Sequence, residues 1–115
     1  MAALRVRMTI QWLVPVGKVR SMTEALHTLM AATRTEPGCT GCSVSADIAE
    51  KGSIRYTEEW QSEEALQRQF QSDRFRSLVT LVENATEPPV VEFLLPGGSR
   101  GLEYVESVCN RGPSP

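Results

Sequence analysis

Between positions 4 and 14 every second residue is apolar. Leu4, Val6, Met8, Ile10, Trp12 and Val14 fall on one side of an extended chain, and Arg5, Arg7, Thr9 and Gln11 on the other. Period two over this length predicts a strand with one buried face. After Pro15 and Gly17 the period changes. Val19, Met22, Leu26, Leu29 and Met30 stand three or four apart, which gathers them into one stripe of a helix. Ser21 and Glu24 have the form of a capping box, although the helix can begin slightly earlier. Pro37 and Gly38 stop it near Thr35. Cys42, Val44, Ala46 and Ile48 then return to period two, Lys51-Gly52 makes a turn, and Ile54, Tyr56, Glu58 and Trp60 share one face of a returning strand. Ser62 is a ready N-cap, followed by Glu63 and Glu64 where the helix dipole favours negative charge. The second helix carries Leu66, Phe70, Phe75, Leu78, Val79 and Val82, with a break or recap at Ser72-Asp73, and ends near Asn84. Pro88-Pro89 opens a strand over 90–95, and Pro96-Gly97-Gly98 leads to a last strand over 102–108.

The order predicts an α+β fold: a ferredoxin-like βαββαβ chain with an extra C-terminal strand, its antiparallel sheet covered by two helices on one face. Val90, Val91, Phe93, Leu94 and Leu95 are apolar on both faces of their strand. Helices cover only one face, so a second copy's sheet is the expected cover, closing a dimeric α/β barrel. With 115 residues, a single domain is expected over 1–108 and a disordered tail over 109–115.

Charge and composition narrow the function. The 12 basic and 14 acidic residues are interspersed, so no field is available for nucleic acid or anionic lipid. No apolar run approaches the roughly 20 residues of a membrane span. The N-terminus has no apolar stretch leading to a cleavage site. Three cysteines, an odd number, suit reduced thiols, and a cytoplasmic protein is expected. His27 is the only histidine and falls off the apolar stripe of its helix, so no Cys/His metal cluster and no histidine-based triad is expected. Cys39 and Cys42 have CxxC spacing, but a strand follows them, not the helix N-terminus that lowers a thiol pKa. Pro96-Gly-Gly-Ser joins two strands and is no phosphate loop.

Tyr56, Glu58 and Trp60 project together and could present a phenol, a carboxylate and an indole to one ligand. Residues of this kind also fill cores, and Glu58 can equally satisfy a backbone donor or an arginine.

The segments Thr33-Arg-Thr-Glu-Pro-Gly-Cys39, Glu58-Glu-Trp60, Ser62-Glu-Glu-Ala-Leu66 and Ser72-Asp-Arg-Phe75, in this order, resemble the antibiotic biosynthesis monooxygenase family over residues 7–95. The resemblance implies a homodimeric barrel. Its members include cofactor-independent monooxygenases of aromatic polyketides, haem-degrading enzymes and proteins of undefined role, so fold alone settles no reaction. It also implies a pocket between sheet and helices, often lined by the tryptophan matching Trp60. Nine residues on, where the family usually has histidine, this chain has Gln69. Glutamine cannot shuttle protons near neutral pH and is a poor haem ligand. The expected site is therefore Trp60, Gln69, Tyr56 and Glu58, with no cofactor and no metal. The expected function is a cofactor-independent monooxygenase of a small aromatic or phenolic substrate. The alternative is a non-catalytic dimeric module that binds a small hydrophobic ligand, and haem degradation ranks third.

Overall fold

The computed structural model describes residues 6–83 and 85–111, with side chains through Cys109. The first strand, β1 (Val6–Leu13), occupies the middle of a five-stranded antiparallel sheet. It is followed by a single 3-10 turn and α1 (Val19–Arg34), the hairpin of β2 (Cys39–Ala46) and β3 (Ser53–Trp60), then α2 (Glu63–Phe70) and α3 (Asp73–Val82). β4 (Val90–Leu95), a three-residue β5 (Gly98–Arg100) and α4 (Glu103–Arg111) complete the chain, and the sheet order is β2-β3-β1-β4-β5. This is the expected α+β, ferredoxin-like layering.

Register explains the core. Met8 lies between Glu58 on β3 and Phe93 on β4, and Ile10 between Tyr56 and Val91. Val6, Met8, Ile10 and Trp12 are all buried, and with Ile54, Tyr56, Trp60 and Phe93 they form the floor on which the helices rest. α1 contributes Met22, Leu26, Leu29 and Met30, as its three-and-four spacing requires. α1 packs over β2 and against α3, and α2 packs over β3. Gly52 turns the hairpin with φ +89°; a Cβ there would lie 2.5 Å from the Val14 carbonyl oxygen, so the turn needs glycine.

Four expectations are corrected. The strand expected over 102–108 is the helix α4: Leu102 and Val105, and Tyr104 and Val108, stand three and four apart, a spacing a helix accommodates, and the packing of Tyr104 on Phe70 and Phe93 overrides their strand propensity. The extra strand is instead β5, immediately before it, paired with the end of β4. α4 also continues to Arg111, past the tail boundary expected at 109; residues 112–115, like Leu4 and Asn84, lie outside the described residues. β2 starts three residues earlier than its alternation suggested, with a register shift between Cys39 and Gly41, and ends at Ala46, leaving Ile48 97% exposed. Ser21 caps nothing: α1 starts at Val19, and the Ser21 hydroxyl donates to the Lys18 carbonyl.

The second helix does recap at Ser72, whose Oγ accepts the Phe75 N–H at 3.1 Å. The outer face of the sheet is mostly polar, with Arg7 paired to Glu59 at 3.1 Å. Its apolar exceptions include Val90 and Leu94, 69% and 45% exposed. Among the described residues no helix is long and apolar enough to cross a membrane.

Candidate active site

The alternation of β3 turns Tyr56, Glu58 and Trp60 under the helices, and the last turn of α2 brings Gln69 down to meet them. Glu58 is fully buried. The Tyr56 hydroxyl donates to Glu58 Oε2 at 2.7 Å, the Trp60 indole N–H to Oε1 at 3.0 Å and the Gln69 amide to Oε2 at 3.3 Å. Cys42, opposite Glu58 on β2, donates its S–H to the Tyr56 oxygen at 3.2 Å. Gln69 is equally enclosed. Its oxygen accepts from Arg74 Nε and from the Ser72 hydroxyl, both at 3.3 Å, and Arg74 also reaches Glu36 at 2.7 Å. Arg74 can only donate and a carboxylate can only accept, so the orientation of the Gln69 amide is determined by its neighbours.

Burial dominates the electrostatics. It pushes the Glu58 carboxyl above its ordinary range, against the pull of the bonds from Tyr56, Trp60 and Gln69. Burial raises the Tyr56 phenol, and the neighbouring Glu58 raises it further. The Cys42 thiol is pushed up to about 12, chiefly by burial. At neutral pH Tyr56 is therefore a phenol and Cys42 an inert thiol. Cys39 is shifted in the same direction, so the CxxC spacing carries no reactive thiolate.

The four residues singled out in the sequence thus form one cluster, but not one open pocket. Trp60 and Gln69 border a cleft of about 200 Å³ between the Glu36-Pro37 turn and the Arg68 and Arg74 side chains. Gly38, with φ +90°, seats that turn against α2: a Cβ there would come within 2.8 Å of the Ala65 Cβ. Tyr56 and Glu58 lie beneath it, both 0% exposed. A haem iron would need an axial donor such as imidazole. Gln69 is not one, and both ends of its amide are engaged, so these residues do not fit haem. His27 stands exposed on α1. Among the described residues no three of His, Cys, Asp and Glu cluster as a metal site.

A second cavity, of about 240 Å³, lies one strand away. Met8, Ile10, Val91 and Phe93 make its floor, and Phe75 and Leu78 of α3 its wall. Val79, Val82, Glu83 and Pro89 border it at the end of α3, and Leu102 and Val105 close it from the side of α4. α4 is held there by Tyr104. Its ring packs 5.1 Å from Phe93 and 5.9 Å from Phe70, while its hydroxyl donates to Glu63 at 2.8 Å and accepts from Gln67 at 3.0 Å. Met8, part of the cavity's floor, pairs with Glu58 across to β3, and Phe75, part of its wall, packs 4.9 Å from Phe70. None of the four predicted site residues lines it. Its lining was missed because the floor and wall residues, read singly, are ordinary core; the one local signal is a carboxylate, Glu83, directly after an apolar helical stripe.

The sequence pattern of the antibiotic biosynthesis monooxygenase family matches residues 5–81. Among curated proteins none matches this chain. Among solved structures, a conserved protein from Methanosarcina mazei Go1 is similar at a TM-score of 0.73 and 21% identity, over 81% of this chain and 93% of that one. An antibiotic biosynthesis monooxygenase is similar at 0.67 and 21%, over 76% and 94%. A conserved protein of unknown function from Bacteroides thetaiotaomicron is similar at 0.70 and 21%, over 80% and 97%. At such identities these likenesses establish the shared fold.

Proposed function

Because the chain belongs to the antibiotic biosynthesis monooxygenase family, we propose that it is a monooxygenase of the cofactor-independent kind, taking a small electron-rich aromatic substrate into the cavity between β1, β4 and α3. The observation that carries this reading is the cavity itself, about 240 Å³ walled by apolar side chains. An electron-rich phenol can supply the electrons that dioxygen needs. One oxygen atom replaces a ring hydrogen, the other leaves as water with that hydrogen and the hydroxyl proton, and the ring becomes a quinone. Such chemistry asks the protein for a dry, shaped space and a fixed orientation. It does not require a strong base, and none lines this cavity.

In this reading Trp60, Gln69, Tyr56 and Glu58 are positioning residues. They tie β3 to the helices beside the cavity and do not touch the substrate. The same features also favour a second reading, a non-catalytic module that holds a small hydrophobic molecule, because the family's usual histidine is replaced by an amide with both ends occupied. In either case a second copy is read as covering the outer sheet face around Val90 and Leu94.

Oxygen uptake separates the two readings. Metal-free protein is given hydroxynaphthalenes and hydroquinones, with autoxidation controls, beside a Val91→Phe variant that fills the cavity. Uptake that requires the protein and falls in the variant supports the oxygenase. Ligand binding lost in the variant, with no uptake from wild type, makes the chain a binding module.

A further inference from the structure

The cavity's rim has one sign of charge. Among the described residues that line it only Glu83 is ionisable, with no lysine, arginine or histidine. Glu83 is exposed and is the C-cap of α3, its backbone N–H closing the helix onto the Val79 carbonyl at 2.9 Å. Its side chain makes no ion pair or hydrogen bond among the described residues, so it is free to turn toward the opening. The last carbonyls of a helix carry partial negative charge, and a carboxylate beside them adds to it. The cavity is therefore apolar inside and electronegative where it meets water. An anionic end group there would lose hydration and meet two like charges, whereas a hydroxyl could donate to Glu83.

Resting on the reading of this cavity as the substrate site, we propose that Glu83 is a specificity-determining residue, selecting neutral aromatic ligands that end in a hydroxyl over carboxylates of the same shape. Glu83 acts by hydrogen bonding and by repulsion. The apolar floor of Met8, Ile10, Val91 and Phe93 accepts the ring system irrespective of its end group.

The test is equilibrium dialysis of 2-naphthol and 2-naphthoate at pH 7 and low salt against wild type, Glu83→Gln, Glu83→Lys and Val91→Phe. Replacing an exposed carboxylate at a helix C-terminus leaves the core intact, and far-UV circular dichroism checks that the variants are folded. Wild type should prefer naphthol, and the ratio of the two affinities should shift toward naphthoate by about fivefold in Glu83→Gln and more than tenfold in Glu83→Lys, as expected for loss and then reversal of a rim charge. Val91→Phe should bind neither. Unchanged ratios with naphthol still bound would overturn the role of Glu83 and leave the oxygenase reading standing. Failure of wild type to bind naphthol, or full binding by Val91→Phe, would overturn both.

Discussion

Replacing Glu58 with glutamine tests the electrostatics of the buried cluster, because the two side chains share a shape and differ in charge and donor pattern. A protonated Glu58 can satisfy every neighbour. Its O–H turns to the Tyr56 oxygen across the same 2.7 Å, the Tyr56 O–H turns to the Cys42 sulfur at 3.2 Å, Oε2 still accepts from Gln69, and Oε1 accepts from Trp60. Glutamine cannot do the same. With its NH₂ toward Tyr56 it faces the Gln69 amide donor, and with its NH₂ the other way it faces the indole N–H. Gln69 cannot turn to relieve this, because its oxygen is held by Arg74 and Ser72. One buried donor is left without an acceptor, a loss of about 1–3 kcal/mol. The pH dependence then follows from burial, which raises the folded-state pKa of Glu58 above the ordinary value of 4.5. Above that pH the unfolded chain ionises first, so the folded state holds more protons and wild type loses stability as pH rises toward the folded pKa. The slope is at most about 1.4 kcal/mol per pH unit. Glu58→Gln has no group titrating at that position. Urea unfolding at pH 5, 6, 7 and 8, at one protein concentration, should show wild type more stable at pH 5 and the gap narrowing as pH rises. A constant gap would mean that Glu58 ionises as freely in the fold as in water, a widening one that it ionises more freely, and either would defeat the argument from burial.

Two further outcomes follow from the same contacts. Tyr104→Phe keeps the ring against Phe70 and Phe93 but removes the hydroxyl shared by Glu63 and Gln67. It should cost about 1–2 kcal/mol, with hydrogen exchange accelerating in α4 before it does in β1; uniform acceleration would refute a local latch. Cys42 is buried with its pKa pushed up to about 12, whereas Cys109 is exposed, so a thiol reagent at pH 8 should modify Cys109 quickly and Cys42 only on unfolding, as peptide mapping would show. Early labelling of Cys42 would contradict its burial.

What the sequence made legible is what periodicity controls. Strict alternation from Val6 onward specified β1 and its inner face, and the same rule put Tyr56, Glu58 and Trp60 on one side of β3. The recap at Ser72 was visible because an N-cap is a local signal, a serine oxygen two or three residues ahead of an otherwise orphaned N–H. The misreading of 102–108 has an equally physical origin. Leu102, Tyr104, Val105 and Val108 fit both periods loosely, and β-branched and aromatic content tilted the choice. Tertiary packing decided it, through Tyr104 docking on Phe70, Phe93, Glu63 and Gln67, contacts that span 11 to 41 residues of sequence and leave no local trace. The cavity was hidden for a related reason: a space is defined by what surrounding side chains fail to fill, and no single residue encodes it.

Gln69 is where the two halves of the site meet. A neutral histidine at this position could also accept from Arg74 and donate to Glu58, but it would titrate between a guanidinium and a carboxyl group, and its charge would alter the hydrogen bonds on which Trp60 and Tyr56 depend. Glutamine gives the same donor and acceptor pattern with no proton to gain or lose. The link from Glu36 through Arg74, Gln69 and Glu58 to Trp60 and Tyr56 therefore joins the α1–β2 turn, both middle helices and β3, with an amide rather than a titrating imidazole at its centre. A network built that way suits support better than proton transfer. On the proposed reading, selectivity between substrates belongs to the other cavity, where the walls are apolar and Glu83 stands at the rim.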